Sequence, residues 1–416
     1  MTKKEKDFHV VYLGETTFPI GFGAIQRMIM VSKALMKAGA KVNVINRKGS
    51  FNPDKPVDVS VKGNFEGIDY IYTSGTVYRP KGFLGRNWQK VVGAYKEWSY
   101  LKELKRNGKL DVGIISCYDF GQVLLYKIYS KLIGFPIAYN YVEWASAIEH
   151  RRGLKNKIND YLYDKWLVPS MDGALPISEV LIDNFKKVAP SKSSFKIPIL
   201  CDFDKFDVEA KKPEHPYFAY CGALDYGELI IFVLTAFDNL KDDPRVELHM
   251  ALGGGTQADD DGLMNHIKNM KKGDRVKIFK NVPHDNIPDL YAPSIGLLIP
   301  MRPTLQDAAR FPHKIGEYVA SGAPMISSNF GEVKYYFKDM ENGFVADKYE
   351  VEQFTEKMQY IIDNPEKARQ IGQAGKATGL KEFNFLHYGE NLRNFLEGLN
   401  GKKKNTSSKK MEEVTP

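Results

Sequence analysis

Short β-branched and apolar runs alternate along the chain with longer stretches in which apolar positions recur every three or four residues. This is the grammar of β–α–β units on a parallel sheet. In the first half the strand signal falls at residues 9–13, 41–46, 68–72, 111–116, 137–141, 173–177 and 195–200. Between the first two, Ile25, Met28, Ile29, Ser32, Leu35 and Met36 follow helical spacing, and Gly39 supplies the stop. The same alternation restarts later, with strand signals at 217–221, 246–252, 276–279, 295–300, 324–328 and 343–345. Residues 201–216, polar and punctuated by Pro213 and Pro216, read as a linker. Terminal helices are expected at 351–363 and 382–399. The pattern predicts an α/β protein with two consecutive Rossmann-like domains.

Composition narrows the class. The 416 residues are 43% hydrophobic and 26% charged, a globular balance with room for a sizeable core. The longest apolar stretch, 229–237, is far short of the ~20 residues of a membrane-spanning helix. The opening Met1-Thr2-Lys3-Lys4-Glu5-Lys6-Asp7 carries no signal-peptide hydrophobic region, so a cytoplasmic protein is expected. Cys117, Cys201 and Cys221 are too few and too scattered for a disulfide framework or a metal cluster. Of the net charge of +8, the lysine-rich end at 401–416 carries +3, and its composition predicts a disordered basic tail. The body has no broad basic surface of the nucleic-acid-binding kind. Its one basic-aromatic stretch is 78–104, where Trp88, Val91, Val92, Tyr95, Trp98 and Leu101 keep helical spacing among Arg79, Lys81, Arg86, Lys90 and Lys96. The spacing predicts an amphipathic helix packed on the sheet. The other reading is a lip resting on an anionic membrane.

Two segments carry chemistry. Gly21-Phe22-Gly23-Ala24-Ile25-Gln26 has glycines ahead of a helix N-terminus, whose free N–H groups and dipole suit a phosphate; an ordinary strand–helix loop would look the same. It is not a nicotinamide or flavin fingerprint. Residues 14–20 separate it from the strand, and the second strand ends Val44-Ile45-Asn46-Arg47 with no acid for a ribose hydroxyl. The second segment is Phe311-Pro312-His313-Lys314-Ile315-Gly316-Glu317-Tyr318-Val319-Ala320-Ser321-Gly322-Ala323-Pro324-Met325-Ile326-Ser327. Pro312 suits a first helical turn and Gly322 a helix end. Ile315, Tyr318 and Val319 share one face, while Lys314, Glu317 and Ser321 share the other. An ammonium beside a helix N-terminus suits a diphosphate, and a carboxylate can accept two sugar hydroxyls. A solvated helix with a Lys–Glu pair fits the same pattern.

The stretch 311–327 resembles the C-domain motif of GT-B glycosyltransferases of family 4, written P-x-K-x-x-E-Y-x-A-x-G-x-P. Further matches follow in the family's order: Gly21-Phe22-Gly23 with Arg27, Pro176-Ile177-Ser178, the run 197–206, Tyr220-Cys221-Gly222-Ala223-Leu224, the run 291–300, and Phe383-Asn384-Phe385. The resemblance implies a GT-B fold, two Rossmann-like domains facing across a cleft: an acceptor-side domain at 1–200, a linker at 201–216, a nucleotide-sugar domain at 217–380 and a helix at 381–400 crossing back to the first. It implies retaining transfer of a sugar from a nucleotide-sugar to an acceptor hydroxyl, with no metal and no cofactor required. The acceptor would be a glycan or a lipid-linked acceptor in bacterial surface glycan biosynthesis. Glu317 would hold the donor's ribose; Gly21, Gly23, His313 and Lys314 would face the diphosphate.

The sequence departs from that pattern at three places. Where the family has a second glutamate, eight positions before Glu317, stands Ala309; Asp307 is the nearest carboxylate and either substitutes for it or is a polar loop residue. The family's Arg and Lys after the first C-domain strand are missing from Gly222-Ala223-Leu224-Asp225-Tyr226-Gly227-Glu228, which leaves Arg302, Arg310 or Lys314 to neutralise the diphosphate. Where the family often has an N-domain histidine stands Glu143, either a partner for the acceptor hydroxyl or half of an ion pair with His150-Arg151-Arg152. These departures keep two further readings open: a non-catalytic nucleotide-sugar or glycan binder, and a nucleotide-sugar epimerase on a similar scaffold.

Overall fold

The computed structural model describes residues 7–14, 17–21, 23–149, 151, 153–241 and 245–412, with side chains as far as Gly401. The chain forms two compact units, Met1–Pro198 with Phe385–Pro416, and Ile199–Asn384. In the first, β1 (Phe8–Leu13), β2 (Ala40–Asn46), β3 (Lys62–Phe65), β4 (Ile68–Tyr72), β5 (Val112–Ile115), β6 (Ile137–Tyr139), β7 (Gly173–Ala174) and β8 (Ser193–Ser194) form one sheet. Its order is β3-β4-β2-β1-β5-β6-β7-β8, parallel except between β3 and β4. Chain order reverses at β1, which lies between β2 and β5. The helices are α1 (Gly23–Lys37), α2 (Phe83–Arg106), α3 (Phe120–Ile133), α4 (Leu154–Leu162), α5 (Val168–Ser170) and α6 (Glu179–Val188).

The second unit has β9 (Tyr217–Ala223), β10 (Glu247–Gly253), β11 (Val276–Lys280), β12 (Gly296–Ile299), β13 (Met325–Ser328) and β14 (Phe344–Ala346), all parallel, in the order β11-β10-β9-β12-β13-β14. Its helices are α7 (Gly227–Asp238), α8 (Gln257–Lys268), α9 (Ile287–Tyr291), α10 (Leu305–Ala309), α11 (Lys314–Ser321), α12 (Val333–Tyr336), α13 (Val351–Asp363) and α14 (Pro365–Phe383). The final helix, α15 (Gly389–Glu412), returns to the first unit and packs on α1, where Arg393 donates to the Ala38 carbonyl at 2.6 Å. The two parallel sheets bear out the expected pair of Rossmann-like domains.

Burial follows the period of each element. Val10, Val11, Tyr12 and Leu13 on β1 are fully buried, as a strand covered on both faces requires. The 229–237 run lies in α7, whose Ile230, Phe232, Val233, Leu234, Ala236 and Phe237 enter the second core. Among the described residues no helix is long and apolar enough to cross a membrane.

Several local expectations change. Residues 195–200 do not form a strand. Phe195 and Ile197 donate to Ala174 and Pro176, but Pro176 and Pro198 have no N–H to continue the ladder. β3, Lys-Gly-Asn-Phe, carries one strong strand former and goes beyond the expected strands, and its hairpin to β4 closes through Glu66 and Gly67, both at positive φ (50° and 87°). The helix expected at 382–399 instead breaks at Asn384, which is extended and bridges to Cys201. Residues 201–216 belong by their packing to the second unit. α15 runs through the lysine-rich segment as far as Glu412; 413–416 lie outside the described residues.

The largest correction concerns α2. Its apolar stripe was expected to pack on the sheet, yet Trp88, Val91 and Tyr95 are exposed and only Leu101 and Leu104 go in. The sheet-facing side is largely polar: Gln89 donates to the Tyr78 carbonyl, and buried Glu97 accepts from Arg47 at 2.6 Å.

Candidate functional site

In the second unit β9 is flanked by β10 and β12, so the loops leaving the C-terminal ends of β9 and β12 part company there. A crevice at such a switch point is where open α/β sheets bind ligands. The β12 loop and α10 supply Arg302, Asp307 and Arg310; the β9 loop and the first turn of α7 supply Tyr226 and Glu228.

Asp307 is fully buried and organises the cluster. It accepts from the Arg302 backbone N–H at 2.8 Å and from the Arg302 guanidinium at 3.1 and 3.3 Å. Its Oδ1 also lies 2.8 Å from Arg310 Nη2. Thr304 caps α10 by accepting from the Asp307 N–H, which fixes the carboxylate's backbone. Held this way, the arginines turn to the β9 loop: Arg302 Nη1 lies 3.3 Å from Glu228 Oε2, and the Arg310 guanidinium sits 4.9 Å above the Tyr226 ring. The two arginines therefore stand against the segment 222–228, which lacks bases of its own. Glu228 is mostly exposed and sits on Arg302 where another anion could replace it.

A second group is built on α11. Glu317, buried, accepts from His284 Nε2 at 2.9 Å, and His313 Nε2 lies 3.6 Å from the same oxygen. Lys205 Nζ is 3.2 Å from the other nitrogen of His284 and 2.7 Å from Asp285. An ammonium can only donate, so His284 Nδ1 accepts and Nε2 carries the proton given to Glu317. Burial alone would raise the Glu317 carboxyl. The His284 hydrogen bond and the positive charges near it, those of His313 and Lys314, outweigh it and hold the group below its usual range.

The helix itself is pinned at its middle and at its C-terminal end. Tyr318 accepts from the Cys221 N–H at 3.0 Å, tying α11 to the end of β9. α14 crosses α11 through glycines: a Cβ at Gly372 would stand 2.5 Å from the Gly322 carbonyl, and one at Gly379 would stand 2.4 Å from Val319 Cγ2. Only glycine admits so close an approach.

The predicted residues therefore fall into three sets. Arg302, Asp307 and Arg310 converge, and His313, Lys314 and Glu317 share the first turn of α11, with Lys314 half-buried near Glu317. Gly21, Gly23 and Glu143 lie in the first unit. Gly21 and Gly23 frame the start of α1, where a Cβ on Gly21 would meet Ile25 at 2.4 Å; Phe22 lies outside the described residues. Glu143 is half-buried beyond the end of β6. Arg151 forks onto Asp160 at 2.6 to 3.1 Å, while His150 and Arg152 lie outside the described residues. Arg27 is buried, donating to Asn140 and to the Ile197 and Pro198 carbonyls, and burial pushes it down to about 10. That arrangement fixes the fold rather than presenting a cation. Lys205, Tyr226, Glu228 and His284 escaped the sequence reading. Their common signal is position: each lies in a loop near the C-terminal edge of a parallel sheet or in the segment leading to it.

Two parallel-sheet Rossmann-like units with a switch-point site define the GT-B class of α/β fold. Residues 202–378, which include both side-chain groups of the second unit, match the family model for glycosyl transferases group 1. That segment is similar to the glycosyl transferases group 1, and the match supports a transferase of that kind. No curated protein matches the chain. Among solved structures, a sucrose-phosphate synthase from Thermosynechococcus elongatus is similar over 98% of this chain and 100% of its own, at 15% identity and a TM-score of 0.71. HepE from Anabaena, solved with UDP and glucose, is similar over 94% and 99%, at 14% identity and a TM-score of 0.65. A UDP-forming trehalose-phosphate synthase from Burkholderia xenovorans is similar over 94% and 99%, at 12% and 0.62. At these identities the likeness is one of fold.

Proposed function

We propose that the protein is a retaining family 4 glycosyltransferase that moves a sugar from a nucleotide-sugar, of the uridine diphosphate class, to an acceptor hydroxyl. The observation that carries this reading is the pairing of two arginines, locked by buried Asp307, with an ionised Glu317 one helical turn into α11. The arginines match a diphosphate, and the carboxylate matches a ribose diol. The uridine class is suggested by HepE, solved with UDP and glucose, and by the UDP-forming trehalose-phosphate synthase.

In this reading Glu317 accepts the ribose hydroxyls, oriented by His284 and His313. Arg302 and Arg310 bind the diphosphate in place of Glu228, with Lys314 and the α11 N-terminus adding positive potential. As the bond between the anomeric carbon and the diphosphate oxygen breaks, negative charge grows on the leaving group, and fixed guanidinium and N–H groups stabilise it. The acceptor oxygen forms the new bond on the same face, and its proton passes to a base, for which Glu143 is the candidate. Asp307 acts by positioning the arginines, since its oxygens already hold both. Gly21 and Gly23 are assigned to the diphosphate side, the acceptor is taken to be a glycan or lipid-linked precursor of a surface glycan in the cytoplasm, and no metal or cofactor is assigned.

The test is acceptor-dependent release of UDP from UDP-sugars, with UDP affinity measured in parallel. Glu317→Ala should abolish UDP binding; unchanged affinity would remove Glu317 from the site. A second reading, a nucleotide-sugar binder without transfer, is favoured by Ala309, buried where the family has a carboxylate. It would show as tight UDP-sugar binding with no release for any acceptor.

A further inference from the structure

The first unit carries apolar side chains that nothing among the described residues covers. On α2, Leu84, Trp88, Val91 and Tyr95 lie along one helical stripe and are 82, 70, 62 and 71% exposed. α4 repeats the arrangement with Leu154, Ile158 and Tyr161, exposed by 74, 51 and 59%. α3 packs against both helices: Tyr129 donates to the Ala94 carbonyl of α2, and Asn159 of α4 accepts from the Phe120 N–H. On α3 the exposed apolar residues are Leu124, Ile128 and Leu132. Three neighbouring helices of a folded protein thus turn leucine, isoleucine and aromatic side chains outward. Single exposed apolar residues are ordinary; aligned stripes on adjacent helices mark an interaction surface.

The charges around the stripes choose the partner. Residues 79–106 hold eight Lys and Arg against two Glu, one of which, Glu97, is buried against Arg47. α3 has no acidic residue. On α4 the exposed Lys155 and Lys157 flank the stripe, while its one acid, Asp160, is buried against Arg151. A second copy meeting this face about a two-fold axis would oppose like charges. An anionic surface with an apolar interior would match both the charge and the stripe. Aromatic placement agrees, since Trp and Tyr settle at membrane interfaces: of the four tryptophans in the chain, Trp88 on α2 is 70% exposed and Trp166, four residues past the end of α4, is 66% exposed.

We propose that the α2–α3–α4 face of the first unit docks the protein on an anionic lipid bilayer, with Leu84, Trp88 and Tyr95 entering the headgroup region and the flanking lysines and arginines meeting lipid phosphates. Binding of this kind adds buried apolar area to electrostatic attraction, so it should weaken with salt without vanishing.

The experiment is co-sedimentation of the full chain with vesicles of phosphatidylcholine alone and of phosphatidylcholine with phosphatidylglycerol, following tryptophan emission. Expected are a preference for the anionic vesicles, a blue shift on binding, and on the order of a tenfold loss of partitioning in Leu84→Ser/Trp88→Ser. Lys90→Glu/Lys96→Glu should abolish the preference for anionic lipid while leaving the oligomeric state of the free protein unchanged. No binding to anionic vesicles at low ionic strength would overturn the proposal, as would equal binding by the wild type and the Leu84→Ser/Trp88→Ser variant. Dimerisation of the free protein that the same variant abolishes would overturn it in favour of a second copy. UDP affinity measured on each sample separates this result from the fate of the transferase reading, because none of the substituted residues belongs to that site.

Discussion

At the scale of single residues, the arrangement at the end of β12 rests on one carboxylate. Asp307 is fully buried and neutralises two guanidinium groups. Asp307→Ala would leave Arg302, itself almost wholly buried, without that partner, and breaking a buried pair in this way costs about 3–5 kcal/mol. Urea unfolding of the variant should show a loss of that order together with weakened UDP binding; a loss below about 1 kcal/mol would mean the cluster is not a structural unit. Glu317 makes a prediction about pH. Its folded carboxyl lies below the ordinary 4.5, so its ionised form contributes stability that is fully present above that value. The contribution is lost as pH falls through the depressed value. His284→Ala removes the 2.9 Å bond and lets the carboxyl rise, so the acid limb of both stability and UDP affinity should move to higher pH. An acid limb that stays in place would show that the histidine does not govern this carboxylate.

At the scale of elements, what holds α11 in place is the glycine face of α14. Gly379→Leu cannot be accommodated 2.4 Å from Val319 without moving one helix, so stability and UDP affinity should fall together. A variant with wild-type affinity would show that the position of α11 does not depend on this crossing. Elements also show what the sequence made legible. Strands buried on both faces, such as β1 and β12, announce themselves as apolar runs, and α11 does so through Pro312 and Gly322. β4 did so too, at 68–72, but β3 did not, because it lies at the sheet edge and its hairpin owes its shape to the backbone angles of Glu66 and Gly67. α2 misled for a related reason: periodicity reveals that a helix has an apolar face, and says nothing about which way that face points. The sheet takes its polar side through the Arg47–Glu97 pair, a contact between residues fifty positions apart that no local pattern contains. Lys205, His284 and Glu317 are separated in the same way, so Glu317 was identifiable by motif and its partners were not.

At the scale of the whole molecule, the chain is two Rossmann-like units whose functional groups sort by unit. The second holds the arginine–aspartate cluster and the Glu317 group, both inside the segment that matches the glycosyl transferases group 1 model. The first holds Gly21, Gly23, Glu143 and the outward-facing apolar stripes. The side chains proposed to recognise the donor, Arg302, Arg310, Lys314 and Glu317, all belong to the second unit, which makes their role testable without knowledge of the acceptor. Calorimetric titration of the full chain with UDP, set beside GDP and ADP and repeated on Glu317→Ala, tests it most directly. The account predicts saturable binding of UDP by the wild type, weaker or absent binding of the other two, and loss of UDP binding in the variant. Equal affinity for UDP in the wild type and in Glu317→Ala would contradict it.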